Sequence, residues 1–454
     1  GAIVGVIALL RPMVGLVAAA ATSPTFGWVV SGPDVSVFQV LVVATAIGTL
    51  LAHGREIPSL TRRAVRSPSM LLATGFVALV LLSGLVHFST AEPSFVRNYL
   101  GSLAVLMIAF VLLRNEGRQA LIVAAVIIGT AVTAVVGLAQ IITAEALVGA
   151  WVLPELREFQ DAYDRLASPW GLASVGSDFS KDVLVGSLLV LPLALATRGR
   201  LQVASIVAAV PLVVALAMSG SRSAWVAAIV GLGYLAIVGG LPGALRVAPV
   251  AGIAVFAVLL AQPTLPFETQ QAIGLSGQVA ADASGPDDGG TESVGGVRTD
   301  ASVDISNTFR DRLNAAGLEI ALDRPVLGVG PGAFRDYVDD YIDTTPPPGY
   351  VALPERLPPH NVYVATLSEI GFLGAIFYVG FLASLVVAGE RLRRRAGGRR
   401  RLVIVGTTAA ILGLATTSVF HNYQFDNLLW LLGGVIVAAA AWGVGPTGRN
   451  EADA

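Results

Sequence analysis

The chain has 454 residues, 54% of them hydrophobic and 13% charged, with a formal net charge of −2. Soluble domains usually carry about 25% charged residues, so the composition excludes an ordinary globular domain and points to a membrane protein. Cysteine is absent, which excludes disulfides, thiolate metal sites and cysteine nucleophiles.

In chain order, twelve apolar stretches approach the roughly 20 residues a helix needs to cross a hydrocarbon core of about 30 Å. They are 2–21, 36–53, 69–88, 97–113, 119–143, 181–197, 201–218, 224–240, 244–263, 361–389, 402–420 and 427–444. Backbone buried in lipid must satisfy its own hydrogen bonds, and runs this long do so as helices. The expected fold is therefore an all-α polytopic membrane protein with about 12 transmembrane helices. The chain opens on Gly1 rather than Met, so a short piece is expected to precede it, and no signal peptide is visible.

Arginine placement orients the bundle. With the N-terminus inside, the loops 54–68, 114–118, 198–200, 241–246 and 390–401 carry 16 arginines, and the short outside loops 22–35, 89–96 and 421–426 carry none. Both termini are then cytoplasmic, with a tail at 445–454. The expected organisation is helices one to nine over 1–263, a large extracytoplasmic loop over 264–359, and helices ten to twelve over 360–444. Another outside loop, 144–180, has the apolar periodicity of a surface helix.

The large loop holds 15 acidic residues against 6 arginines, a net of −9. Residues 264–305, rich in Gly, Ser and Asp, read as a flexible insert. Residues 306–359 read as a partly helical lid: Leu313, Ala316 and Ile320 fall at helical spacing before a stop at Pro325. "GVGPGAF" follows and reads as a turn, because no strand precedes it and no lysine follows, as a phosphate loop would require.

Several polar residues gather toward the outside face. Arg222 sits in "SGSRSAWV", a short outside turn between apolar helices. An arginine there needs an anionic partner unless it merely snorkels to the interface, and a planar guanidinium matches phosphate oxygens in bidentate fashion. Arg310 opens the loop helix, with Arg312 as a competitor for any role. His360 follows two prolines at the start of helix ten; it reads either as a cap or as a base suited to proton transfer near neutrality. Glu369 lies inside the same helix and reads as buried and paired. Arg165 and Lys181 flank the entry to helix six, and His421 lies in the last outside turn. No residue pattern suits a metal, a cofactor or nucleic acid.

Four segments together resemble the superfamily of O-antigen ligases and O-antigen polymerases, integral-membrane glycosyltransferases that act on lipid-linked glycans. "SGSRSAWVAAIVG" is similar to the family's Ser-Arg-x-Ala-Trp segment. "RDRLNAAGLEIALDRPVLGVGPGAF" is similar to its arginine helix and Gly-rich turn, with Arg310 on the arginine and Asn314 in place of the usual tryptophan. "HNVYVATLSEIGFLGAIFYVGFL" is similar to its His-Asn, Glu-x-Gly-x-x-Gly helix. The large loop falls between helices nine and ten of twelve, as in the family. The segment before helix six resembles the family more loosely, and Arg165 is carried over on that basis.

The resemblance implies transfer of a glycan from a polyprenyl diphosphate donor to an acceptor hydroxyl at the outer face of the cytoplasmic membrane. Its partners would be that donor, a glycan, lipid or protein acceptor, and the bilayer. It implies His360 as the base and Arg222 with Arg310 as the diphosphate clamp. Inversion without a metal or cofactor fits, since no carboxylate pair is singled out for a double displacement. A polysaccharide polymerase of the same superfamily is the alternative. A secondary transporter or lipid flippase is a more distant one, because the polar groups sit at one surface and no paired helix breaks are evident.

Overall fold

The computed structural model describes residues 2–23, 37–143, 176–261, 300–342, 358–422 and 426–442. Among these the chain is helical, with no strand. The helices are α1 (Ala2–Leu10), α2 (Pro12–Thr22), α3 (Val37–His53), α4 (Ile57–Val65), α5 (Pro68–Val86), α6 (Pro93–Leu112), α7 (Glu116–Thr143) and α8 (Gly176–Ala196). They continue as α9 (Arg200–Met218), α10 (Arg222–Ala261), α11 (Asp300–Asp323), α12 (Phe334–Tyr337), α13 (Val362–Arg395), α14 (Gly398–Thr417) and α15 (Asn427–Trp442).

The all-helical membrane fold is as expected, and the count of about twelve spans is not confirmed. Nine helices among the described residues are long and apolar enough to cross a membrane. The first expected span is divided at Arg11 and Pro12 into helices of 9 and 11 residues, because Pro12 starts a helix and cannot continue one. The last, α15, has 16 residues. Expected helices eight and nine run on as α10, with a break at Gly240. The expected surface helix before α8 falls largely on 144–175, the flexible insert largely on 264–299, and the tail on 445–454; all lie outside the described residues.

α8 is the centre of the bundle. It packs against α7, α9, α10 and α14, and Val183, Leu184, Val185, Leu188 and Leu189 are all buried. A helix that is apolar all round belongs inside. Small residues bring the neighbours close, as in other membrane bundles: a Cβ on Gly406 of α14 would lie 2.9 Å from the Leu189 carbonyl oxygen.

Leu313, Ala316 and Ile320 form one buried face of α11, as their spacing predicts, and pack against Val329, Ala333, Phe334 and Val338. After the turn comes the short α12, followed by a 3₁₀ turn at Val338–Asp340.

"GVGPG" is a turn, as read, and it enters the bundle. α13 is broken at Gly371 (φ 79°, ψ −179°), which frees the carbonyls before the break. Val329 N donates to Ser368 O (2.9 Å), Gly330 N donates to Glu369 O (3.0 Å), and Phe372 N donates to Pro325 O (2.8 Å). Ser83 of α5 donates to Leu327 O (2.7 Å), and Glu92 N donates to Pro331 O (2.9 Å). Irregular backbone inside a membrane protein survives only where protein satisfies it, and here turn and broken helix satisfy each other. The break was not legible beforehand, since a lone glycine is often tolerated in a helix.

Gly328 shows how tight the fit is. Its φ is +65°, and a Cβ there would overlap the Glu369 carbonyl. Gly328→Ala should therefore cost more than the roughly 1–2 kcal/mol of left-handed backbone alone. A thermal midpoint in detergent equal to the parent's would show that the turn does not hold this contact.

Candidate functional site

The site lies where the first turns of α10, α13 and α15 meet the end of α14, beside α11. At α13 the sequence left open whether His360 is a cap. It is not. Asn361 is the N-cap (φ −150°, ψ 114°), and its side chain accepts from Tyr363 N (2.9 Å) and Val364 N (3.2 Å). His360 stands one residue outside the helix, half-buried, with no capping duty.

Two bonds join the start of α13 to the end of α14. Val362 N donates to Ser418 O (2.9 Å), and the Tyr363 hydroxyl donates to Ala415 O (2.7 Å). This places the turn carrying His421 beside His360. α11 closes a third side, where Gly317 packs on Val364 and Pro359, and Arg310 lies two helical turns before that contact.

The two imidazoles and Arg310 share one electrostatic environment. Burial, then the Arg310 guanidinium, lower the His360 pKa to about 4. Burial lowers His421 to about 4 as well, with Arg310, His360 and Lys181 adding to the effect. Both rings are thus neutral near pH 7, the form that accepts a proton.

Arg222 is the first residue of α10, exposed, with no ion pair among the described residues. Its neighbour Ser223 is hydrogen-bonded to His421 Nε2 at 2.7 Å and lies 3.0 Å from the Ser221 hydroxyl. Arg222 is thus next in the chain to the serine that meets His421, with its own side chain exposed. A guanidinium on a helix N-terminus adds charge to the positive end of the dipole, which is unfavourable alone and favourable for an anion.

Lys181 serves differently from a free clamp. Its Nζ lies 2.9 Å from Asp426 Oδ2 and 3.7 Å from both Asp178 and Asp182. Asp426 Oδ1 in turn accepts from Leu428 N (2.8 Å) and Leu429 N (3.1 Å), capping α15. Lys181 thus ties α8 to α15 beneath the histidines. Glu369 is buried at the helix break, as expected, where its carbonyl oxygen receives Gly330. Arg312 is exposed on α11. Arg165 lies outside the described residues. Sequence reasoning missed Ser223, Asn361 and Asp426; the polar residues bordering Arg222 and His360 were the available signal.

Fold and site define an integral-membrane protein whose helical bundle brings two histidines and Arg310 together at one end. Residues 207–379 match the family model described as O-antigen ligase, and the resemblance read from the motifs is borne out over that segment. The match runs from α9 into α13 and includes Arg222, Arg310, His360 and Glu369. No match was found among curated proteins. The matched segment supports, in broad terms, a membrane protein of the glycan ligase or transferase type.

Proposed function

We propose that the protein transfers a glycan from a polyprenyl diphosphate donor to an acceptor hydroxyl at the extracytoplasmic face of the cytoplasmic membrane. The observation that carries this reading is the meeting of neutral His360 with Arg310 and the Ser223–His421 pair beside Arg222, within and next to the O-antigen ligase segment.

The chemistry balances on this chain's own residues. His360 takes the proton of the acceptor hydroxyl. The oxygen attacks the anomeric carbon as the bond to the diphosphate breaks, and the configuration inverts. The leaving diphosphate carries away the electron pair, and Arg222 and Arg310 offset its growing charge, as pre-aimed donors do for any developing anion. The donor's own leaving group drives the step, so no nucleotide is required outside.

The test is transfer by purified protein in proteoliposomes, with lipid-linked glycan and acceptor supplied and EDTA present. Product is expected at the rate seen without chelator. Loss of activity restored by Mg²⁺ would overturn the arginine-only account of the leaving group. Solute movement without any product would favour a carrier instead.

A further inference from the structure

We propose that α11 and the turn after it are seated in the bilayer leaflet at the site end of the bundle, with Leu318, Leu322 and Val326 in contact with lipid acyl chains. The sequence reads this segment as part of a partly helical lid in the extracytoplasmic loop. This inference is independent of the reaction proposed above.

The first argument is height. Leu327 O accepts from Ser83, and Ser83 lies within the apolar span Pro68–Val86. Pro325 O accepts from Phe372 N, ten residues into α13 and so about 15 Å along it at 1.5 Å per residue. The end of α11 thus lies level with membrane-crossing backbone.

The second argument is the surface it presents. Leu318 is 48% exposed, Leu322 70% and Val326 59%, spaced four apart on the side opposite the buried face of Leu313 and Ile320. The charges near this end are turned to the loop's own tyrosines. The Tyr341 hydroxyl donates to Asp323 Oδ2 at 2.8 Å, and the Arg324 guanidinium lies 5.4 Å from the Tyr337 ring centre. Leu318, Leu322 and Val326 are exposed beside them, with Asp311 and Glu319 also exposed on α11.

The third argument is continuity. Phe372, Ile376 and Val379 are exposed at helical spacing on the membrane-crossing helix α13. The Phe372–Pro325 hydrogen bond joins that stripe to Val326 and so to Leu322 and Leu318. An apolar stripe that continues one on a spanning helix, with Asp323 and Arg324 held to the loop's tyrosines, has lipid as its natural solvent. Seated in this way, α11 is held at its far end, and the height of Arg310 over the bilayer is set.

The chain has no cysteine, which makes the test direct. Single variants Leu318→Cys, Leu322→Cys and Val326→Cys carry a nitroxide label in proteoliposomes, with Ile376→Cys as the lipid-facing reference and Glu319→Cys as the polar neighbour. Collision with oxygen is compared with collision with a water-soluble nickel chelate. Labels at 318, 322 and 326 are expected to follow the one at 376, favouring oxygen, and the label at 319 to favour nickel. Labels at 318 and 322 that favour nickel would place the stripe in water and overturn the proposal. Labels shielded from both reagents would show protein over the stripe, from this chain or a second copy, and overturn it equally.

Discussion

Replacing His360 with alanine should reduce glycan transfer by about 10²–10⁴-fold, the range a positioned general base contributes. The fold should survive, because Asn361 makes the capping bonds of α13 and Val362 the bond to α14. The pH profile is the sharper measurement. A base must be neutral to act, and burial with Arg310 holds the free His360 near 4. The acid limb of kcat/KM, which reports the free enzyme, should therefore lie well below the ordinary histidine value of about 6.5. Bound diphosphate places negative charge beside the ring and opposes Arg310, so the limb of kcat should move up. Full activity of His360→Ala would remove the base from the mechanism. A kcat/KM limb near 6.5 that vanishes in the variant would contradict the buried, cation-flanked environment.

Arg222→Ala should lower transfer by about 10²–10³-fold, the loss seen when one pre-aimed donor to a developing anion is removed. Stability should move the other way, or not at all. The side chain is exposed and adds positive charge to the positive end of α10, an arrangement that costs about 0.3–1 kcal/mol where no anion answers it. Arg222→Lys should recover part of the activity, since an ammonium keeps the charge and loses the fork. A snorkelling arginine with a purely structural role predicts the reverse pattern: a lowered thermal midpoint with transfer intact. The two readouts together decide between these roles.

The membrane class was legible because hydropathy is local. Apolar runs such as 69–88 and 181–197 correspond to α5 and α8 within a few residues. The first run is divided at Arg11 and Pro12, and the described part of the last one, α15, has 16 residues. The buried face of α11 was likewise visible as Leu313, Ala316 and Ile320. His360 was visible as a candidate but not as a non-cap. Asp and Asn cap helices through bonds to backbone N–H groups two or three residues on, and only geometry tells which of two neighbours does so.

By itself the sequence determined the helical membrane class and the family its motifs resemble, and it singled out the arginines and histidines proposed for the site. Each of these rests on residue type and short spacing, which a linear chain displays in full. The tertiary structure alone decided that Ser223 meets His421 across 198 positions, and that Lys181 is spent on Asp426. It alone decided that α13 breaks at Gly371 to receive the turn at 325–330. Those outcomes depend on which helices lie side by side, and that is set by packing around α8 rather than by any local pattern.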